Sequence, residues 1–172
     1  MSKERDRRTA ADSLCTRPCD PPRAFHFFVD GRRARSVRVE IEQAVSQTKG
    51  SMIDRAALHG EILGQVRRAA AGKLRLGLDN GDVLEPVRRN PDLWEIKWKR
   101  GKRGEFRLYH AEPGNAPDLV GLRFHAKDTS SNDADEIEHL QNAEMDEAGR
   151  RFVDGVKDRW GHTPGCHDCA GS

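Results

Sequence analysis

Residues Leu93 to Lys127 read LWEIKWKRGKRGEFRLYHAEPGNAPDLVGLRFHAK. Three runs in this stretch alternate apolar and polar residues at period two, the signature of half-buried strands. They cover Leu93–Lys99, Glu105–His110 and Leu119–Lys127. The charged, glycine-bearing link Lys99–Gly104 makes the first break, and Pro113, Gly114 and Pro117 make the second. Links this short join strands that pair antiparallel. Side chains of a strand point alternately to opposite faces. One face therefore collects Trp94, Ile96, Trp98, Phe106, Leu108, Val120, Leu122, Phe124 and Ala126, with His110 as its one polar member. The other collects Glu95, Lys97, Lys99, Arg107, Tyr109, Gly121, Arg123, His125 and Lys127. The first face calls for a cover of helices. The second has the chemistry of a phosphate-binding surface with titratable groups.

Working outward, Ala24–Val29 (AFHFFV) reads as a short strand ended by Asp30-Gly31. Val37, Ile41, Ala44, Val45 and Thr48 recur at helical spacing and predict a helix over Arg33–Thr48. Lys49-Gly50 stops it, and Ser51 caps a second helix over Met52–Ala71, with Leu58, Ile62, Val66 and Ala69 as its buried stripe and Gly72 at its end. The link Lys73–Asp92, with Asn80-Gly81, Pro86 and Pro91, reads as chain packed along the helix. After Lys127, DTSSND leads into a helix over Asp133–Lys157, with acids in its first turn and bases late. The expected fold is α+β, order β-α-α-β-β-β-α, with a small twisted antiparallel sheet and helices packed on one face. Residues 24–159 form the domain. Met1–Arg23, rich in charge and proline, reads as a disordered basic tail, and residues 160–172 as a cysteine-bearing tail.

The 172 residues carry 30 Lys and Arg against 28 Asp and Glu, a net of +2 that hides an asymmetry. Pro86–Lys127 holds ten bases and five acids, and Asp128–Glu147 holds eight acids and no Lys or Arg. A basic sheet followed by an acidic segment points to a polyanion site with an intramolecular or partner contact opposite it. The plain alternative for the acidic run is a solvated helix face. No apolar run approaches the length of a membrane helix, and the charged start lacks a secretory core, so a cytoplasmic protein with no membrane partner is expected.

The element order and three blocks, Leu93-Trp94-Glu95-Ile96-Lys97-Trp98, Phe106-Arg107-Leu108-Tyr109-His110 and Leu122-Arg123-Phe124-His125-Ala126-Lys127-Asp128-Thr129, resemble the RelE/ParE superfamily of toxins from type II toxin–antitoxin modules. The resemblance lies nearest the HigB-like, phage-derived branch and covers Ala24–Asp158. The expected proline soon after Thr129 is missing, and both cysteine-bearing ends lie outside the resemblance. It implies a RelE-like fold and a small toxin held by a cognate antitoxin. Its implied activity is either ribosome-dependent mRNA endonuclease, which inhibits translation, or ParE-like, non-enzymatic inhibition of DNA gyrase. Fold alone does not choose between them. A third reading is a catalytically silent nucleic-acid-binding domain.

Metal-free RNA cleavage, with no cofactor, uses the 2′-OH as nucleophile on the adjacent phosphate. It needs a base, a stabiliser of the phosphorane charge and an acid for the 5′-oxygen. On the polar face the catalytic candidates are His125 as base or acid, Arg107 and Arg123 as phosphate grips, Lys127 as charge stabiliser, and Tyr109 to orient the hydroxyl or stack on a base. Lys97, Lys99, Arg100, Lys102 and Arg103 extend the RNA track. The plain alternatives are that Arg107 and Arg123 are strand cations paired with Glu95 or Glu105, and that Tyr109 only packs. His110, on the core side, reads as structural. Cys15-x3-Cys19 and Cys166-x2-Cys169, with His162 and His167 nearby, hold enough ligands for a four-coordinate zinc site if the two ends meet. Free thiols are the expectation for a reducing compartment.

Overall fold

The computed structural model describes residues 8–30, 36–74, 82–99, 104–114, 117–127, 133–162, 166 and 169–170. In chain order the elements are β1 (Phe25–Phe27), α1 (Val37–Ser46), α2 (Met52–Ala70), β2 (Asp82–Pro86), β3 (Leu93–Lys99), β4 (Glu105–Ala111), β5 (Leu119–Ala126), α3 (Ala134–Gly155) and β6 (Cys169–Ala170). The strands form one sheet ordered β2-β3-β4-β5-β1-β6. The β2–β3, β3–β4, β4–β5 and β1–β6 pairs are antiparallel, whereas β1 pairs with β5 in parallel.

The mixed α+β class and the three central strands agree with the sequence reading. The sheet is not purely antiparallel, because the chain passes through both long helices between β1 and the meander and enters β1 alongside β5. The link before β3 is also a strand in its second half. Asp82–Pro86 pairs along β3, and Pro86 is tolerated there because β2 is an edge.

The helices begin and end for local reasons. The Ser36 hydroxyl accepts from the Val39 N–H and caps α1; Arg33–Arg35, where an earlier start was expected, lie outside the described residues. At α2, Ser51 and Asp54 form a reciprocal capping box. Gly72 (φ +68°) closes α2 in a left-handed turn, with Gly72 N–H donating to Ala69 O (2.9 Å) and Lys73 N–H to Arg68 O (2.8 Å). The Asp133 carboxylate accepts from Asp135 N–H (2.9 Å) to start α3.

Apolar packing occupies both sheet faces. Under α1 and α2 lie Phe25, Phe27, Trp94, Ile96, Trp98, Phe106, Leu108, Leu119 and Phe124. Under α3 lie Leu93, Tyr109, Ala111, Val120, Leu122 and Trp160, with Met145 and Phe152 against them. Helices on a single face were expected, and the difference comes from a β-bulge. Pairing slips between Tyr109 and His110, where Tyr109 faces Arg123 but His110 faces Gly121. One extra residue in a strand reverses the face of everything beyond it. Leu119 and Gly121 therefore join the first core, and Val120 and Leu122 join the second. Gly121 is needed where it stands, because a Cβ there would lie 2.9 Å from Phe27 Cδ1.

The chain ends are part of this body. Expected to be a disordered tail, residues 8–23 instead lie against it. Cys15 is completely buried in the first core, Leu74 N–H donates to Cys15 O (3.0 Å), and Arg23 N–H donates to Ala70 O (2.9 Å). Ser13 Oγ and Leu14 N–H both donate to the Glu112 carboxylate. At the other end, Trp160 fills the second core and β6 pairs with β1, so residues 160–170 are not a free tail where described.

Candidate functional site

The β3–β4–β5 register gathers the polar candidates into rows. Lys97 stands opposite Arg107, and Arg107 opposite His125. Glu95 stands opposite Tyr109, and Tyr109 opposite Arg123. Arg107, Tyr109, Arg123 and His125 thus lie side by side, as their alternation predicts. What alternation alone misses is their cover. An open face was expected, and α3 lies across it.

Arg107 is 4 % exposed and held as the plain alternative has it, Nη1 to Glu95 (2.6 Å) and Nη2 to Glu105 (2.6 Å). Arg123 is pinned by other acids than those expected, donating Nε to Glu144 on α3 (2.5 Å) and Nη1 to Glu40 on α1. Glu40 also accepts from the Phe124 N–H (2.9 Å) and pairs with Arg151 (2.7 Å). Arg151 donates to Leu122 O (2.8 Å), which bolts α3 to the bulge. Burial disfavours the charged form of Glu144, but its hydrogen bonds from Arg123 outweigh that and hold its carboxyl below the usual range. Lys97 reaches Glu85 (2.6 Å) and Glu95 (3.2 Å), and Lys127 lies 3.9 Å from Glu105. Lys99 is exposed at the end of β3; Arg100, Lys102 and Arg103 lie outside the described residues.

Tyr109 is fully buried, and its ring stacks on His125 with centroids 5.6 Å apart. Burial, and then the Glu95 charge, push the phenol well above its ordinary pKa. His125 Nδ1 lies 3.2 Å from the Ala126 carbonyl, which can only accept, so Nδ1 carries the proton and Nε2 the lone pair. Burial lowers the His125 pKa, and the Arg107 and Arg123 charges add to this, with Glu144 opposing. The ring is therefore neutral at pH 7. Arg107 Nε and His125 Nε2 are buried with no hydrogen-bond partner among the described residues, and Tyr109 Oη sits beside Glu95 and Arg107 without a well-aligned hydrogen bond to either. Buried polar atoms without a partner are uncommon in folded proteins. A cleft of about 160 Å³ opens beside His125 and Lys127 under Ile137, Leu140 and Glu144. A larger one, about 530 Å³, lies between α1 and α3 over Arg123 and Arg151.

The four cysteines do not come together. None is in a disulfide. Cys15 Sγ lies 3.3 Å from His110 Nε2, itself 3.5 Å from Glu112. His110 is buried as expected of a core-side residue. Cys19 contacts the Ala70 carbonyl (3.5 Å). Cys166 and Cys169 meet His26 and His162 instead, with ligating atoms all within 4.8 Å. The fourth member of that set, His26 on β1, escaped the reading because only the fold brings it there; the spacing His162-x3-Cys166-x2-Cys169 was visible.

Among the described residues no helix is long and apolar enough to cross a membrane. Compared with protein-family models, curated proteins and solved structures, the chain matches none.

Proposed function

We propose that this chain is a toxin of the RelE/ParE kind whose working patch is Arg107, Tyr109, Arg123, His125 and Lys127, and that it cleaves mRNA on the ribosome. The observation that carries the reading is the register that sets Arg107, Tyr109, Arg123 and His125 side by side, with a buried, partnerless His125 Nε2 among the two arginines. In the reaction, neutral His125 Nε2 takes the 2′-OH proton. The 2′-oxygen then bonds to the adjacent phosphorus, and the P–O5′ bond breaks with protonation of the 5′-oxygen from Lys127. The products are a 2′,3′-cyclic phosphate and a 5′-hydroxyl. Arg123, and Arg107 through Nε, steady the phosphorane charge. In the closed form Glu144 holds Arg123 where a phosphate oxygen would bind, so α3 moves before RNA enters. A cognate antitoxin that keeps α3 down or covers the patch would neutralise such a protein.

A second reading is favoured by the density of ion pairs. Arg107, Arg123 and Lys97 each already contact a carboxylate, and an inhibitor that only grips a protein such as gyrase needs none of them free. Primer extension on a translated reporter mRNA in a bacterial host separates the two, with wild type beside Tyr109→Phe and His125→Gln. Cuts that depend on translation and vanish in both variants support the nuclease. Growth arrest over intact mRNA moves the reading to a protein target. Salt-sensitive RNA affinity without cuts or arrest leaves a silent binding domain.

A further inference from the structure

We infer that His26, His162, Cys166 and Cys169 form a tetrahedral zinc site that fastens the C-terminal end of the chain to β1. The site is separate from the α3-covered patch, and it uses a ligand set that only the fold assembles.

The distances suit zinc. Cys166 Sγ lies 3.3 Å and Cys169 Sγ 3.7 Å from His26 Nδ1, and Cys169 Sγ lies 3.4 Å from His162 Nδ1. Zinc bonds of ~2.0–2.1 Å to nitrogen and ~2.3 Å to sulfur, at tetrahedral angles, place N and S roughly 3.5 Å apart. The two imidazole rings stand at 74°, centroids 5.0 Å apart, so their nitrogens can converge without the rings stacking.

The outer shell is in place as well. His26 is completely buried, and its Nε2 lies 2.8 Å from the Trp160 carbonyl. A carbonyl only accepts, so Nε2 carries the proton and Nδ1 turns its lone pair toward the sulfurs. This is the tautomer lock that metal-bound histidines use. Two thiolates balance a dication, so a half-buried site is neutral. Binding is Zn²⁺ plus two thiols giving the bis-thiolate and two released protons.

The local fold also needs a fastener. β6 has two residues, a ladder too short to hold itself. Arg159 and Trp160 both adopt left-handed backbone (φ 55° and 59°), a conformation that crowds the Cβ of a non-glycine residue. Such a bend persists only where its surroundings over-determine it. Trp160 O accepts from both His26 and Val29 N–H (3.2 Å), so a metal on His26 anchors the bend directly.

The test begins with the full-length chain, stripped by chelator under reducing conditions and titrated with zinc chloride. One zinc per chain by elemental analysis is expected. Cobalt(II) in its place should show thiolate charge-transfer bands and the strong d–d absorption of a tetrahedral site. Cys166→Ser/Cys169→Ser and His162→Asn should each lose the bound metal, and Cys15→Ser/Cys19→Ser should keep it. The cobalt spectrum of the wild type decides the question even if a variant fails to fold. Zinc well below one per chain, an octahedral cobalt spectrum, or metal retained by Cys166→Ser/Cys169→Ser would overturn the site. So would a Cys166–Cys169 disulfide in the wild type, seen as a mass two daltons low that Cys15→Ser/Cys19→Ser keeps and Cys166→Ser/Cys169→Ser loses.

Discussion

Tyr109 buries its hydroxyl beside the Glu95–Arg107 ion pair without a well-aligned hydrogen bond, and this separates stability from function at one atom. Relief of the hydroxyl's desolvation and loss of its contacts with Glu95 and Arg107 oppose each other, so Tyr109→Phe should change stability by no more than about 1 kcal/mol. On the nuclease reading the same change should cut mRNA cleavage at least tenfold; urea midpoints and primer-extension band intensities check the two halves. Arg107→Ala is the opposite case. It leaves Glu95 with Lys97 alone and Glu105 with the more distant Lys127, beside a buried void, and should cost about 3 kcal/mol, visible in the same urea titration. That variant tests folding rather than chemistry. His110 supplies a pH signature. Burial disfavours its charged form, but the Cys15 sulfur and the Glu112 carboxylate outweigh this and raise its pKa to about 9. A raised folded pKa gives stability that is fully present below the unfolded value of about 6.5 and lost as pH rises toward 9. Stability should fall across that window, and Glu112→Gln should flatten the fall. His125, shifted the other way, acts below the window and does not confuse it.

At the scale of elements, α3 is built in two unlike halves. Its C-terminal half buries Ala148, Gly149, Arg151 and Gly155, and Arg151 reaches the backbone of β5. Its N-terminal half is largely exposed, with Leu140 at 43 %, and its ties to the sheet include the Glu144–Arg123 pair. Amide exchange should therefore be markedly faster in residues 134–143 than in 148–155. Glu144→Gln should speed it further by weakening that pair, as hydrogen exchange read by mass spectrometry would show. Uniform protection along the helix would argue against a cover that lifts. The limits of α2, β3 and β4 were legible because caps, period and breaks agree there. β5 was legible as a strand but not in its facing. A bulge leaves no mark on alternation, and Val120 and Leu122 are as apolar as the face to which counting assigned them.

For the molecule as a whole, the ends decide more than their composition suggests. Residues 8–23 look like a solvated tail, yet Ser13, Leu14 and Cys15 close over Glu112 and His110. Deleting residues 1–23 should cost at least about 3 kcal/mol, because it opens the first core and exposes a buried charged pair; a lower thermal midpoint at unchanged helix content would register it. Sequence by itself determined the α+β class, the three-strand meander, the three helices with the Ser51 cap of α2, and the set of side chains that share the polar patch. Each of these is written in local spacing and capping chemistry. Only the tertiary structure decided that α3 roofs the patch, that Arg123 answers to Glu40 and Glu144, and that the cysteines part company to meet different histidines. Those are contacts between residues far apart in the chain, where burial and charge pairing, rather than period, select the partner.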